Sequence, residues 1–138
     1  MTTREGFRQA VTIKVEARKA LWTAYPLIIE YDNRLIADTQ TQINPFLCVK
    51  IEYISGEQVD FGSAPNHRVY GSLVLAAAVK ANSGAKQAND LLQHFYPACH
   101  LTTISGARMW GAQFEKDKPH LGWVYYPVSI PFDFDTTT

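Results

Sequence analysis

The sequence is poor in the residues that build metal centres and disulfide frameworks. Its two cysteines, Cys48 and Cys99, lack a CxxC spacing and are far too few for a disulfide-stapled secreted domain, which predicts a reducing compartment. His94, Cys99 and His100 form the one local group of nitrogen and sulfur donors. Zinc would need a fourth donor, Cys48 or His120, from a distant part of the chain. We therefore expect Cys99 to be a small buried side chain and expect no metal.

An excess of charge of one sign and long apolar runs are also missing. The 13 Lys and Arg residues balance 13 Asp and Glu residues, so no overall positive field would attract DNA. The longest apolar run, Leu73 to Val79, is too short to cross a bilayer. The amino terminus, MTTREGFRQAV, carries charges where a secretory signal would be apolar. These features predict a soluble cytoplasmic protein without a membrane partner.

Motifs for nucleotide binding and for nucleophilic catalysis are absent from the sequence. There is no GxxxxGK[ST] loop, and Gly106 and Gly111 do not make a dinucleotide-binding fingerprint. Ser83 and Ser105 each precede a glycine but lack the earlier glycine of a GxSxG elbow. The sequence therefore supports neither nucleotide hydrolysis nor esterase chemistry.

Carboxylates occur in two groups that could be mistaken for acid–base pairs. Glu52, Glu57 and Asp60 surround a loop, and Asp133 and Asp135 lie near the end of the chain. General acid–base catalysis needs two carboxyls held at a fixed separation in a cleft. We expect solvated charges at both places instead.

What the sequence does contain is a core for one domain. Its 138 residues are 46% hydrophobic and 12% aromatic, which excludes intrinsic disorder and fits a single domain over residues 1–138. Apolar residues in the first 22 positions fit one helical face, with Thr2 or Thr3 as the cap. A second helix is predicted from Asn82 or Ser83 to Pro97, which would end it.

Four segments have the composition of strands. They are Pro26 to Tyr31, Phe46 to Ile54, Arg68 to about Lys80 and the closing strand that begins near Trp123. Gly71 predicts a tight or bulged point in the third segment. Pro127 and Pro131 predict that the closing strand lies at a sheet edge or pairs on one side only.

The order of these elements predicts an α+β domain. No strand–helix–strand alternation demands a parallel sheet, so we expect a mostly antiparallel sheet with helices packed on one side. Trp123 and Tyr125 fall on the face of the closing strand opposite its core face, where they could line an interface. Phe61, in a polar loop with a glycine, is predicted to be an exposed anchor for a partner.

The succession of motifs resembles the phage tail terminator family. The resemblance lies in YPLIIEYDN (25–33), FLCVKIEYISGE (46–57), RVYGSLVLAAAVKANSGAKQANDLLQHF (68–95) and GWVYYPVSIPFDF (122–134), which together with the flanking residues cover about residues 5 to 135. In the third segment a long strand with a central glycine runs through a short glycine turn into an amphipathic helix. Residues 34–45 lack the proline and aromatic pattern of the family at that point.

This resemblance implies a structural role with no catalysis and no cofactor. Tail terminators form a hexameric ring that caps the tail tube at its head-proximal end, stops its polymerisation and presents a surface to head-completion or neck proteins. The implied partners are other copies of the chain, the tail tube protein and a neck or head-completion protein. DNA would only pass through the lumen, and the protein, assembled in the host cytoplasm, would end up in the virion.

Two alternatives remain open on the sequence. A neck or head–tail joining protein shares small α+β subunits and ring symmetry. A small cytoplasmic enzyme or ligand-binding domain would use a pocket beside His94, Cys99 and His100.

Overall fold

The computed structural model of the chain describes residues 2–31, 44–58 and 66–137. They form one α+β domain with a mostly antiparallel, curled sheet and two helices, which confirms the predicted fold class. Neither helix of this described part is long and apolar enough to cross a membrane. The elements in chain order are α1 (Arg4–Lys19), β1 (Ile29–Tyr31), β2 (Phe46–Gln58), β3 (Asn66–Lys80), α2 (Lys86–Phe95), a 3-10 turn (Tyr96–Ala98), β4 (Thr103–Ile104), β5 (Ala107–Met109), β6 (Gln113–Phe114), β7 (Lys118–His120) and β8 (Trp123–Thr137).

Helix α1 confirms the helical interpretation of the first segment. Thr3 is its N-cap, and the Thr3 hydroxyl accepts a hydrogen bond of 2.9 Å from the backbone N–H of Gly6. Phe7, Val11 and Val15 recur at four-residue spacing and are all buried. The helix therefore packs one apolar face against the sheet.

Strands β2, β3 and β8 form the centre of the sheet. Strand β3 lies between the other two and pairs antiparallel with each, along its whole length in the case of β8. We call the face of the sheet that meets α1 and α2 the core face and the opposite one the outer face. The core-face positions alternate as predicted, and their buried members are Leu47, Val49, Val69, Leu73, Leu75, Ala77, Val79, Val128, Ile130, Phe132 and Phe134.

Gly71 is a point of close approach between the three long strands. A Cβ at this position would collide with the carbonyl oxygen of Glu52 and would lie 2.6 Å from Cζ of Phe132. The bulge itself falls on the neighbouring strand, where the register of β2 against β3 shifts between Tyr53 and Ser55. The absent side chain lets the Phe132 ring lie over the middle of β3.

Helix α2 begins later than predicted. It starts at Lys86, with Ala85 as N-cap and without a capping side-chain hydrogen bond among the described residues, so the prediction of a cap at Asn82 or Ser83 was wrong. The Ser83 hydroxyl donates instead to the carbonyl oxygen of Lys80 at 2.6 Å, and Asn82 has a φ of 69°. Both residues thus form the turn that leaves β3. The face of α2 toward the sheet buries Ala88, Leu91, Leu92 and Phe95.

The prediction that β8 is an edge strand was also wrong. Strand β8 pairs with β3 on one side and with the short strands β5, β6 and β7 on the other. The carbonyls of Pro127 and Pro131 accept hydrogen bonds from Glu115 and Trp110, so both prolines point to the side of the short strands. Because the missing N–H groups face that side, the β3 ladder is complete, and the other ladder is broken into short pieces.

The outer parts of the sheet are short strands. The order is β1-β2-β3-β8-β5-β4, with β6 and β7 also paired to β8 and with β1 parallel to β2. Two tight hairpins join β4 to β5 at Ser105–Gly106 and β7 to β8 at Leu121–Gly122, and all four turn residues have positive φ. Positive φ at both central residues is typical of type I′ hairpin turns.

Candidate interaction surface

The three residues predicted to form an interface have different outcomes. Phe61 lies outside the described residues, so its role stays a prediction. Trp123 and Tyr125 lie on the outer face, as their position in the strand predicts. Trp123 is nevertheless only 5% exposed, and Tyr125 is partly buried.

A second, small cluster on the outer face explains this burial. The ring of Phe46, from the start of β2, is fully buried, and its centroid lies 5.0 Å from that of Trp123 and 6.2 Å from that of Tyr125. The ammonium group of Lys80 lies 5.8 Å from the Trp123 ring. Burial raises the pKa of the Tyr125 hydroxyl. Trp123 therefore packs within its own chain and presents little surface to a partner, and its predicted interface role is untested.

The structure does not bring the histidines and cysteines together. Cys99 is 1% exposed, as expected, and burial raises the pKa of its thiol to about 11. His94 bonds the carbonyl oxygen of Arg18 through Nε2 at 2.6 Å, and Nδ1 of His100 accepts from the N–H of Ala112 at 2.9 Å. Within residues 2–31, 44–58 and 66–137, no group of three or more His, Cys, Asp or Glu residues could hold a metal ion. His94 and His100 instead each bond the backbone of another segment.

The expectation of solvated carboxylates near the end of the chain was wrong for Asp133. This residue is 8% exposed and accepts hydrogen bonds from Nε1 of Trp110 at 2.8 Å and from Nη2 of Arg108 at 3.1 Å. Asp135 is more exposed and forms an ion pair with Arg68 at 2.9 Å. Since both carboxylates lie on β8 and both bind arginines, they fasten side chains of neighbouring strands to the outer face.

Three exposed apolar side chains lie between α2 and β7. Leu101 is 67%, Trp110 46% and Phe114 62% exposed. We call these three residues the edge surface. Trp110 bonds Asp133 on the outer face, whereas Phe114 pairs with Val128 and its ring faces Tyr96 on the side of the core face. These exposed side chains therefore line the margin of the sheet on both of its faces.

The edge surface is held in place by hydrogen bonds and ring contacts. Trp110 donates its indole N–H to Asp133 and its backbone N–H to the carbonyl of Pro131 at 2.8 Å, and the guanidinium of Arg108 lies 5.0 Å from its ring. The Phe114 ring lies 5.3 Å from that of Tyr96. Because these side chains are already positioned, a partner that binds them loses little side-chain entropy.

Sequence reasoning missed the edge surface because the segment has no helical or strand period. Its strands are two or three residues long, which is too short for a periodic pattern. Two of its strands are joined by a turn of only two residues, so no long polar loop separates them in the sequence. The available signal was Ser105–Gly106, a dipeptide typical of a hairpin, followed at once by Arg108 and Trp110.

A shallow groove of about 180 Å³ lies where α1 begins beside β2. It is lined by Arg4, Glu5, Arg8, Ile51 and Tyr53. The hydrogen bonds from Arg8 lower the pKa of the Glu5 carboxyl, which is therefore ionised at neutral pH and is not a proton donor. The guanidinium of Arg4 lies 4.6 Å from the centroid of the Tyr53 ring. The interactions of this groove are thus ion pairing and cation–π stacking between its own residues.

Comparison with known proteins shows the fold alone. No protein-family model and no curated protein matches the chain. Among solved structures 23 chains match it. One of these, whose name states no function, superposes with a TM-score of 0.65 over 99% of this chain and 97% of its own, at 11% sequence identity. The arrangement of elements therefore recurs in nature, while sequence identity is too low to transfer a function.

Proposed function

We propose that this chain is a structural subunit of a phage tail, a tail terminator that forms a ring on the head-proximal end of the tail tube and ends its polymerisation. The motif succession over about residues 5 to 135 supports this family. The observation that carries the proposal is the edge surface, because exposed aromatic side chains at the margin of the sheet are of the type enriched where proteins bind one another.

A ring of six subunits of this size would have a central hole wide enough for DNA. A subunit of this length is about 35–40 Å across by compactness scaling, and six touching subunits leave a hole of about one subunit diameter. A DNA duplex passes through a hole of that width. The balanced charge suits such a conduit, since a strongly basic lumen would retain DNA by counterion release.

In this proposal the protein is not an enzyme and uses no cofactor. Its partners are further copies of itself, the tail tube protein and a neck or head-completion protein, and the proposed hexameric ring resides in the virion. The hydrogen bonds of His94 and His100 to backbone groups favour a structural use of these side chains over the alternative of a catalytic pocket beside them.

The test is to delete the gene in the phage or prophage that encodes it and to examine the particles by electron microscopy. We expect headless tails of uncontrolled length, and normal virions when the gene is supplied in trans. Tails of uniform length that lack heads would instead identify a neck or head–tail joining protein. Normal virions without the gene would refute both structural roles.

A further inference from the structure

We propose that His100 forms a pH-sensitive link between the segment after α2 and the connection from β5 to β6, which is closed when the imidazole ring is neutral and opens when the ring is protonated. His100 follows the 3-10 turn, and Ala112 lies between β5 and β6. Nδ1 of His100 accepts a hydrogen bond of 2.9 Å from the backbone N–H of Ala112, 12 residues further along the chain. We call this hydrogen bond the His100–Ala112 link.

The direction of this hydrogen bond determines where the ring of His100 carries its proton. A backbone N–H only donates, so Nδ1 of His100 must be unprotonated to accept from Ala112. In a neutral imidazole the proton then lies on Nε2, whereas both nitrogens of an imidazolium ion are donors. Protonation therefore sets two N–H groups against each other and breaks the link. Because imidazole changes its charge between about pH 5 and 8, the link is present at the upper end of this range and lost toward the lower end.

His94, before the 3-10 turn, forms a hydrogen bond of the opposite direction. Its Nε2 bonds the carbonyl oxygen of Arg18 at 2.6 Å, and because a carbonyl only accepts, Nε2 is the donor. Nε of Arg18 donates in return to the carbonyl oxygen of His94 at 3.0 Å. Both residues lie in the last turn of a helix, where the carbonyl groups favour positive charge. An imidazolium ion keeps its proton on Nε2, so acid leaves this contact in place.

No opposite charge holds the protonated form of His100. The ring that faces it is that of Tyr96, from the 3-10 turn, with a centroid distance of 5.6 Å. Tyr96 in turn faces Phe114 of β6, at 5.3 Å. Within the part of the chain that the structure describes, His100 forms no ion pair with a carboxylate. The loss of the His100–Ala112 link on protonation is therefore not offset by a new ion pair in this conformation.

The opening of the link is confined to the connection between β5 and β6. On either side of Ala112, Trp110 and Glu115 donate their backbone N–H groups to carbonyl oxygens of β8 at 2.8 and 3.0 Å. These hydrogen bonds involve no titrating group and persist in acid. Ala112 lies two residues before Phe114 of the edge surface. Protonation of His100 thus loosens the chain that leads to Phe114 and leaves β8 paired.

The experiment measures the backbone amide of Ala112 by NMR in the full chain at about pH 5 and pH 8. Hydrogen-exchange protection factors, which are corrected for the pH dependence of intrinsic exchange, are compared for Ala112 and for Trp110. His100→Phe removes the acceptor, whereas His100→Asn keeps an oxygen acceptor near the position of Nδ1 that does not titrate. His94→Gln is the matched control, because it keeps a donor near the position of Nε2. Circular dichroism verifies that each variant is folded.

In the wild type we expect the protection factor of Ala112 to fall at least about fivefold from pH 8 to pH 5 and that of Trp110 to change less than about twofold. Ala112 in His100→Phe should have the low value at both pH values, and in His100→Asn the high value at both. His94→Gln should behave like the wild type. The ¹⁵N shifts of the His100 ring should show an unprotonated Nδ1 at pH 8.

Four results would each overturn the inference. They are a protonated Nδ1 of His100 at pH 8, equal protection of Ala112 in the wild type at both pH values, a fall of the wild-type size in His100→Phe, and a fall that disappears in His94→Gln. If His100→Phe does not fold, His100→Asn decides, since a fall of the wild-type size there also contradicts the link. The link is a property of the single chain, so the gene deletion that tests the terminator role neither supports nor refutes it.

Discussion

Side chains are held in place by different interactions in the three long strands and in the short-strand segment 103–120. In the centre, side chains alternate strictly and Phe132 is 2% exposed between Phe7 and Phe134. In the short-strand segment, Trp110 stays 46% exposed and is fixed by its bonds to Asp133 and Pro131. The centre thus depends on burial, whereas the edge depends on polar contacts that position apolar groups without covering them.

Because of this difference, the buried side chains contribute to stability, whereas the exposed ones remain available to bind a partner. A side chain that is already buried has no surface left for a partner, as Trp123 illustrates. An exposed side chain held by hydrogen bonds costs the fold little and remains accessible. Substitutions should therefore cost much more stability in the centre than at exposed positions of the short-strand segment.

The largest difference is expected between two phenylalanines. Phe132→Ala removes a ring whose centroid is 4.4 Å from that of Phe7 and should lower the free energy of unfolding by about 3–5 kcal/mol. Phe114→Ala, at 62% exposure, should change it by about 0.5 kcal/mol or less. Urea denaturation of both variants measures the two values. Similar losses at both positions would show that the edge is part of the core.

Glycine to alanine substitutions should sharpen the same contrast. Gly71→Ala forces a methyl group against Phe132 and the Glu52 carbonyl and should cost about 2–4 kcal/mol of unfolding free energy. At Gly111 the nearest atom to a new Cβ is Cδ2 of Leu101 at 4.0 Å, so Gly111→Ala should change stability by about 0.5 kcal/mol or less. Thermal unfolding of the pair checks this. A tolerated alanine at Gly71 would mean that β2, β3 and β8 do not approach as closely as described.

The smallest effect tests how the edge is held. Trp110→Phe keeps an aromatic ring but removes the donor to the buried Asp133 carboxylate, and should cost about 1–2 kcal/mol of unfolding free energy. Repeating the substitution in an Asp133→Ala background, which removes the acceptor, forms a double-mutant cycle in which the cost should shrink. An undiminished cost there would mean that packing, rather than this hydrogen bond, fixes Trp110.

The sequence was sufficient to predict the centre of the fold. A two-residue period determines which face of β2, β3 and β8 is buried, and a four-residue spacing determines the buried face of α1, so these assignments follow from side-chain direction alone. Pro127 and Pro131 led to a wrong prediction of the position of β8 in the sheet. A proline lacks the backbone N–H on only one side of its strand, so it weakens pairing on that side alone. Which side this is depends on the register with β3, which is a property of the tertiary structure.

The candidate interaction surface was less predictable for a related reason. Placement of Trp123 on the outer face was correct, but its cover by Phe46 comes from a contact between strands 77 positions apart in sequence. Trp110 becomes an exposed, positioned ring only because β5 pairs with β8 at Asp133. In both cases, pairing between strands that are distant in sequence determines the exposure of the side chain. A single sequence does not show which strands pair.

The broken ladder beside β8 has a consequence for how this protein can vary. Since β5, β6 and β7 each pair with two or three residues of β8 and the prolines separate them, a change of length between them need not shift the register of β8 on β3. The margin of the domain can thus be remodelled by insertion or deletion in evolution, or by grafting an epitope at the Leu121–Gly122 hairpin, while the central scaffold is inherited intact.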